Sequence, residues 1–241
     1  MDDMRPATTL VLCPGLLNDA TVWRGVTALL DPGIDVRVMD FSRCDSMAEM
    51  AAKIDAATTG LDQPFTLAGF SMGGYATLEF LSQHAERVSG VLLQSTAERA
   101  ESDGQRSVRL KNIARAPTEF EQICKDLSTF TVGTTRQDDM VLKRSMVDMF
   151  QRLGREVFVR QSTAVMQRAD HTATLSAVGS NPSIRLAIAC GDEDKVTPLG
   201  WSRRMAEACP SARLTVIPGA GHMAPCEDPA IVASVIADLM R

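Results

Sequence analysis

The sequence predicts an α/β protein with a mostly parallel sheet of about six strands flanked by helices, and three observations carry that expectation. Short apolar runs alternate with stretches of helical periodicity at both ends of the chain. The segment from Ala97 to Asn181 between them holds helical periodicity and no convincing strand. A strand-like run, Phe65–Ala68, leads through the glycine-rich turn Gly69-Phe70-Ser71-Met72-Gly73-Gly74 directly into a helix-like stretch. Strands alternating with helices return parallel, through right-handed crossovers.

Each element has its own signal. Thr8–Cys13 is a continuous apolar run ended by Pro14-Gly15, a first buried strand and its turn. Trp23–Leu30 reads as a short helix closed by Asp31-Pro32-Gly33, and Ile34–Met39 alternates as a strand nearer the sheet edge does. Ser46 and Glu49 form a capping box ahead of the stripe Met47, Met50, Ala51 and Ile54. After the glycine-rich turn, Gly74, Leu78, Leu81 and Ala85 share one helix face, and Val88–Leu93 is the next buried strand. In the helical middle, Thr118 and Glu121 read as a second capping box, with Phe120, Ile123, Cys124 and Leu127 on one face. Two further stripes follow there, Leu142, Met146, Met149, Leu153 and then Phe158, Ser162, Val165, Ala169. Ile184–Cys190 and Ala212–Ile217 are the last strands, and Asp228-Pro229 opens a final helix with the stripe Val232, Val235, Ile236 and Leu239. The expected organisation is a core of residues 1–96 and 182–241 with a helical cap, 97–181, inserted before the last two strands.

Composition narrows the function. A net charge of −5 over 241 residues argues against nucleic acid as the main partner, because phosphate binding needs a basic surface. The segment Met1–Pro6 is acidic and lacks the apolar stretch of a signal peptide. No run approaches the roughly 20 apolar residues of a membrane helix, so no membrane role is expected. The six cysteines are scattered without Cys-x-x-Cys or metal-ligand spacing and read as reduced core thiols of a cytoplasmic protein. No metal or other cofactor is expected.

Chemistry concentrates at the glycine-rich turn. Strand, sharp turn and helix are the setting in which Gly-x-Ser-x-Gly forms a nucleophile elbow, with Ser71 projecting at the strand's C-terminal end. Gly69 and Gly73 are required because a Cβ at either position would strike the neighbouring strand or helix. The Met72 N–H then points from a helix N-terminus toward developing negative charge. A serine hydroxyl needs a base. Of the three histidines, His84 sits late in the elbow helix, where a cation suits the helix dipole, and His171 in the last helical segment of the insertion reads as a solvated or supporting group. His222 lies in Pro218-Gly219-Ala220-Gly221-His222, a loop beyond a strand's C-terminal end, where parallel sheets build their sites. The acid that orients it is expected in Gly191-Asp192-Glu193-Asp194, with Asp194 favoured and Asp192 the next choice. The Leu16 N–H, in the turn after the first strand, is the expected second oxyanion donor.

These motifs together resemble the α/β-hydrolase fold superfamily over essentially the whole length, in the order Ser71, Asp194, His222. More narrowly, Leu12-Cys13-Pro14-Gly15-Leu16-Leu17-Asn18-Asp19-Ala20-x-x-Trp23 resembles a bacterial group of small, capped carboxylesterase-like hydrolases. Many relatives carry His-Gly where this chain has Pro14-Gly15, so its oxyanion loop is expected to be held by different contacts. The resemblance implies attack on a carbonyl and hydrolysis of a small-molecule ester, thioester or lactone. The same triad serves perhydrolases, enol-lactonases, carbon–carbon bond hydrolases and acyltransferases, and a non-catalytic sensor is a further alternative. Candidate substrate-contacting residues are Leu17, Trp23, Met146, Arg160, Met166 and Arg168, with one of the two arginines a candidate partner for a substrate carboxylate. Monomer and homodimer both remain open.

Overall fold

The computed structural model describes residues 8–241; the expectation about Met1–Pro6 falls outside the described residues. The sheet strands are β1 (Thr9–Cys13), β2 (Asp35–Val38), β3 (Phe65–Phe70), β4 (Val88–Gln94), β5 (Arg185–Gly191) and β6 (Arg213–Ile217). They form one six-stranded sheet in the order β2-β1-β3-β4-β5-β6, every neighbouring pair parallel. β1 and β3 are buried along their whole length, whereas every residue of β2 is half-buried, as its alternating sequence predicts for an edge.

The helices are α1 (Arg24–Thr27), α2 (Met47–Thr58), α3 (Met72–His84), α4 (Asp103–Phe130), α5 (Met140–Leu153), α6 (Arg155–Met166), α7 (Thr172–Ser180), α8 (Leu199–Ala208), α9 (Ala224–Glu227) and α10 (Pro229–Leu239). Alternation along the strands splits the core into two layers. Val11, Leu67, Val91 and Ile188 face α2, α3, α7 and α8. Leu10, Leu12, Ala68, Leu92 and Ala189 face the opposite way, toward α10 and its stripe of Val232, Val235, Ile236 and Leu239. Ser46 caps α2 through the Glu49 N–H, and Asp228 caps α10 through the Ile231 N–H with Pro229 at the first turn. Among the described residues no helix is long and apolar enough to cross a membrane.

Two local expectations need correction. The chain from Trp23 to Leu30 is not one helix: a 3-10 turn over Ala20–Trp23 passes into the single turn of α1. Nor do Thr118 and Glu121 start a helix. The capping box belongs to Ser102 and Gln105, and α4 runs on from there across a kink at Glu119 (φ −124°, ψ 20°). Pro117 supplies the cause, since it lacks the N–H of a helical bond and its ring crowds the carbonyl four residues back.

The helices α4 to α7 occupy the interval between β4 and β5. α4 packs on α5 and α6, while α7 returns to lie against α3 and α8, burying Leu175 and Val178 there. The strand order reverses direction between β1 and β3, and open α/β sheets place their sites at the carboxyl ends of strands beside such a reversal.

Candidate active site

At the end of β3 the chain turns into α3 through Ser71, which is held at φ 52° and ψ −116°. A non-glycine residue in that region is strained, and its neighbours over-determine it. The Ser71 N–H donates to the Gln94 carbonyl at 2.9 Å, and the Ser71 carbonyl accepts from the Gly74 N–H at 2.9 Å and the Thr96 hydroxyl at 2.8 Å. A Cβ on Gly69 would stand 2.4 Å from Thr77 Oγ1, and one on Gly73 would stand 2.1 Å from the Cys13 carbonyl oxygen. Both glycines are therefore required for the reason the sequence suggests, with Gly73 letting α3 start against the end of β1.

Three side chains from three strand ends meet here. His222 Nε2 lies 2.9 Å from Ser71 Oγ, and His222 Nδ1 lies 2.9 Å from Asp194 Oδ2. All three residues are buried. The tautomer with hydrogen on Nδ1 donates to Asp194 and leaves Nε2 free to accept the serine proton. Asp194 is saturated with donors: Oδ1 accepts from the Val196 and Thr197 N–H groups at 2.8 Å each, and Oδ2 from the Thr197 hydroxyl at 2.8 Å. Burial pushes its carboxyl up, but the His222 charge and hydrogen bond, together with the Thr197 donors, outweigh burial and hold it below 3.8. Asp192 is exposed and accepts instead from the Gly219 N–H at 2.7 Å. It steadies the histidine loop and does not touch the imidazole. The Phe70 ring packs 5.2 Å from the imidazole, centroid to centroid.

Leu16 and Met72 both line a cavity of about 360 Å³ that also holds Ser71 and His222. Their backbone N–H groups donate to no acceptor among the described residues. The loop that presents Leu16 is fixed from an unexpected direction. Leu17 sits at φ 55°, and its N–H donates to Gln161 Oε1 at 2.8 Å. Gln161, on α6 and fully buried, also donates from Nε2 to the Phe41 carbonyl at 3.3 Å. The loop that follows Pro14-Gly15 is thus tied to a glutamine of the helical segment between β4 and β5.

The histidine loop is tied to the same insertion. The His222 N–H donates to the Thr131 carbonyl at 2.7 Å, just past α4. The Glu227 carboxylate accepts from the Gly133 N–H at 2.7 Å and from the Gly221 N–H at 3.0 Å. Burial raises its carboxyl above 4.5 against the pull of those two amides. A Cβ on Gly221 would stand 2.5 Å from the Thr131 carbonyl oxygen, which is why Gly-x-Gly precedes the histidine.

The six candidate substrate contacts lie elsewhere. None of Leu17, Trp23, Met146, Arg160, Met166 and Arg168 lines the cavity. Trp23 is buried edge-on against Phe70, and Met146 is buried core. Arg160 pairs with Asp45 at 2.9 Å and donates to the Ser42 carbonyl, while the Met166 carbonyl accepts from Arg106. Arg168 is committed to Glu101 at 3.3 Å and to the Tyr75 ring at 4.3 Å. The cavity wall is instead Leu127, Phe130, Phe150, Phe158 and Val165, with Tyr75, Gln105, Arg109, Asn112 and Lys195 as polar positions. Sequence reasoning missed Gln161, Glu227 and Arg109. Arg109 had one usable signal, since Gln105, Arg109 and Asn112 repeat at helical spacing. His171 is not solvated: it is buried, with Nε2 3.0 Å from Glu79 and Nδ1 3.2 Å from Thr174 Oγ1. His84 packs on Phe80 at the end of α3. Among the described residues no cluster of His, Cys, Asp or Glu is placed to hold a metal ion.

Comparison with known proteins gives the same frame. The chain is 21% identical over 180 residues to a pimeloyl-[acyl-carrier protein] methyl ester esterase of Neisseria meningitidis, a match covering 72% of this chain and 56% of that protein. The chain therefore spans little more than half the length of this curated relative. A thermophilic esterase from Thermogutta terrifontis superposes with a TM-score of 0.85 at 23% identity, covering 96% of this chain and 89% of that one. An enol-lactonase from Burkholderia xenovorans superposes with a TM-score of 0.82 at 19% identity, covering 99% and 93%. At these identities the structural likeness speaks to the fold. The profile of the alpha/beta hydrolase fold matches residues 8–229, and the chain belongs to that family.

Proposed function

We propose that this protein is a carboxylesterase-like serine hydrolase that cleaves a small-molecule ester, thioester or lactone through an acyl-enzyme on Ser71. The observation that carries this reading is the continuous relay Ser71 Oγ–His222 Nε2 and His222 Nδ1–Asp194 Oδ2, each step 2.9 Å, opening into a largely apolar cavity. In the first half-reaction Ser71 Oγ attacks the carbonyl carbon while its proton passes to His222 Nε2. The carbonyl oxygen becomes an oxyanion facing the free N–H groups of Leu16 and Met72. Asp194 holds the productive tautomer and stabilises the imidazolium. Collapse expels the alcohol or thiol, which takes the proton from His222. In the second half-reaction His222 deprotonates water, the hydroxide attacks the acyl carbon, and Ser71 regains its proton as the acid leaves.

The helical segment 97–181 acts as a cap in this scheme. α4 to α6 supply the apolar wall, and α7 carries the chain back to the core. The unpaired thiols suit a cytoplasmic setting, where burial has pushed Cys13 up to about 12 and makes it a poor nucleophile. The test is hydrolysis of p-nitrophenyl acetate, butyrate and octanoate by wild type and Ser71→Ala. Turnover that vanishes in the variant is the expected result. Turnover that survives it rules out the serine mechanism.

A further inference from the structure

We propose that the cavity selects esters whose non-reacting end carries a carboxylate, bound by Arg109 with Tyr75, Gln105 and Asn112 around it. The inference rests on the serine-hydrolase reading of the same cavity and names its substrate class. Gln105, Arg109 and Asn112 fall at i, i+4 and i+7 on α4 and turn one face of that helix into the cavity wall. Arg109 bonds Glu101 through Nε at 3.0 Å and Nη2 at 2.8 Å, which leaves Nη1 without an acceptor among the described residues. Glu101 is shared: its fully buried carboxylate also takes Arg168 Nη1 at 3.3 Å. Two guanidiniums against one carboxylate leave this cluster behind the wall with a net positive charge.

The surrounding donors fit the same ligand. Tyr75 stands one turn beyond Ser71 in α3, backed by the Arg168 guanidinium over its ring. The Tyr75 hydroxyl and the Asn112 and Gln105 amide N–H groups have no acceptor among the described residues. The charged residues lining the cavity are Arg109 and Lys195, and no Asp or Glu is part of that lining, on a chain whose net charge is −5. The rest of the wall is apolar, which fits the carbon skeleton between a reacting carbonyl and a terminal anion. A guanidinium edge with neighbouring donors is the arrangement that receives a carboxylate.

The test compares kcat/KM within two matched pairs. Monomethyl glutarate against methyl 5-methylhexanoate puts the charge on the acyl side, and 4-acetoxybenzoate against 4-isopropylphenyl acetate puts it on the alcohol side. Wild type is expected to favour the anionic member of at least one pair by about 10- to 100-fold, the range of one charge-assisted hydrogen bond. Arg109→Gln removes most of that preference, while Arg109→Lys keeps part of it. Asn112→Asp, which leaves the Glu101 pairs intact, also abolishes it by placing a negative charge in the wall. Equal rates within both pairs in wild type, or a preference unchanged by Arg109→Gln and Asn112→Asp, overturns the proposal while leaving the serine hydrolase standing. Failure of the hydrolase reading looks different: no ester is cleaved, or cleavage persists in Ser71→Ala. Calorimetry on Ser71→Ala then decides separately. Binding of glutarate that is lost in Asn112→Asp supports the anion site, and equal binding of glutarate and pentanamide contradicts it.

Discussion

Replacing Gln161 with methionine tests whether the helical insertion helps build the proposed oxyanion hole. The side chain keeps its volume but loses the acceptor that holds the Leu17 N–H at 2.8 Å. A buried N–H left without a partner costs about 1–3 kcal/mol, and Leu17 at φ 55° is in a conformation that itself costs about 1–3 kcal/mol. Without the bond, relaxation of Leu17 becomes favourable and carries the adjacent Leu16 N–H off its line to the oxyanion. The stability loss should be about 1–3 kcal/mol, a fall in Tm of roughly 2–4 °C for each kcal/mol in a chain of this size. Complete loss of one oxyanion donor costs about 10²–10³ in kcat, so a mis-aimed donor should cost about 10- to 100-fold, with KM within a few-fold of wild type. Steady-state kinetics on p-nitrophenyl butyrate, thermal denaturation and the affinity for an alkyl boronic acid, a mimic of the tetrahedral adduct, read the three effects. Boronate affinity should fall in step with kcat. A lower Tm with kcat and boronate affinity unchanged would make Gln161 a packing residue and refute the reasoning.

Other substitutions probe separate contacts. Gly73→Ala places a Cβ 2.1 Å from the Cys13 carbonyl oxygen, backbone against backbone. It should destabilise by about 3 kcal/mol, the upper part of the usual overpacking range, and an unchanged Tm would contradict that. Asp194→Asn should lower kcat by about 10⁴-fold by favouring the wrong imidazole tautomer, as measured on p-nitrophenyl butyrate. The Asp194 carboxyl is held below 3.8, so its stabilisation is fully present above that pH and is lost as pH falls through the depressed native value. Urea unfolding should therefore show the gap between wild type and Asp194→Asn closing in acid, and a pH-independent gap would count against it. Glu227→Ala strips the acceptor from the Gly133 and Gly221 N–H groups, at about 1–3 kcal/mol for each donor left dry. Kinetics should show kcat falling more than KM rises, because the histidine loop loses one of its ties to the turn after α4.

The three side chains of the proposed relay could be picked out in the sequence because each lies in a short local pattern at a strand's end. Ser71 is announced by the glycines that let α3 start against β1, and His222 by glycines that admit the Thr131–Gly133 backbone. Asp194 was separable from Asp192 only as a preference, and the difference turned out to be which loop each carboxylate faces. What stayed hidden depends on contacts between distant segments. Gln161 meets Leu17 across 144 positions, and Glu227 meets Gly133 across 94. No local spacing encodes either pair. The arginines show the same limit: Arg168 carries the charge expected of a substrate partner, but its burial behind Tyr75 and pairing with Glu101 follow from packing alone. The misplaced capping box at Thr118 has a simpler cause, since Pro117 gives a kink and a helix start the same local signature.

The most direct test of the account is covalent trapping of the acyl-enzyme. Brief reaction with p-nitrophenyl acetate, an acid quench and peptide mapping by mass spectrometry should show one acetyl group on Ser71, absent from Ser71→Ala and formed far more slowly by His222→Ala. An adduct on another residue, or acetylation undiminished in Ser71→Ala, would contradict it.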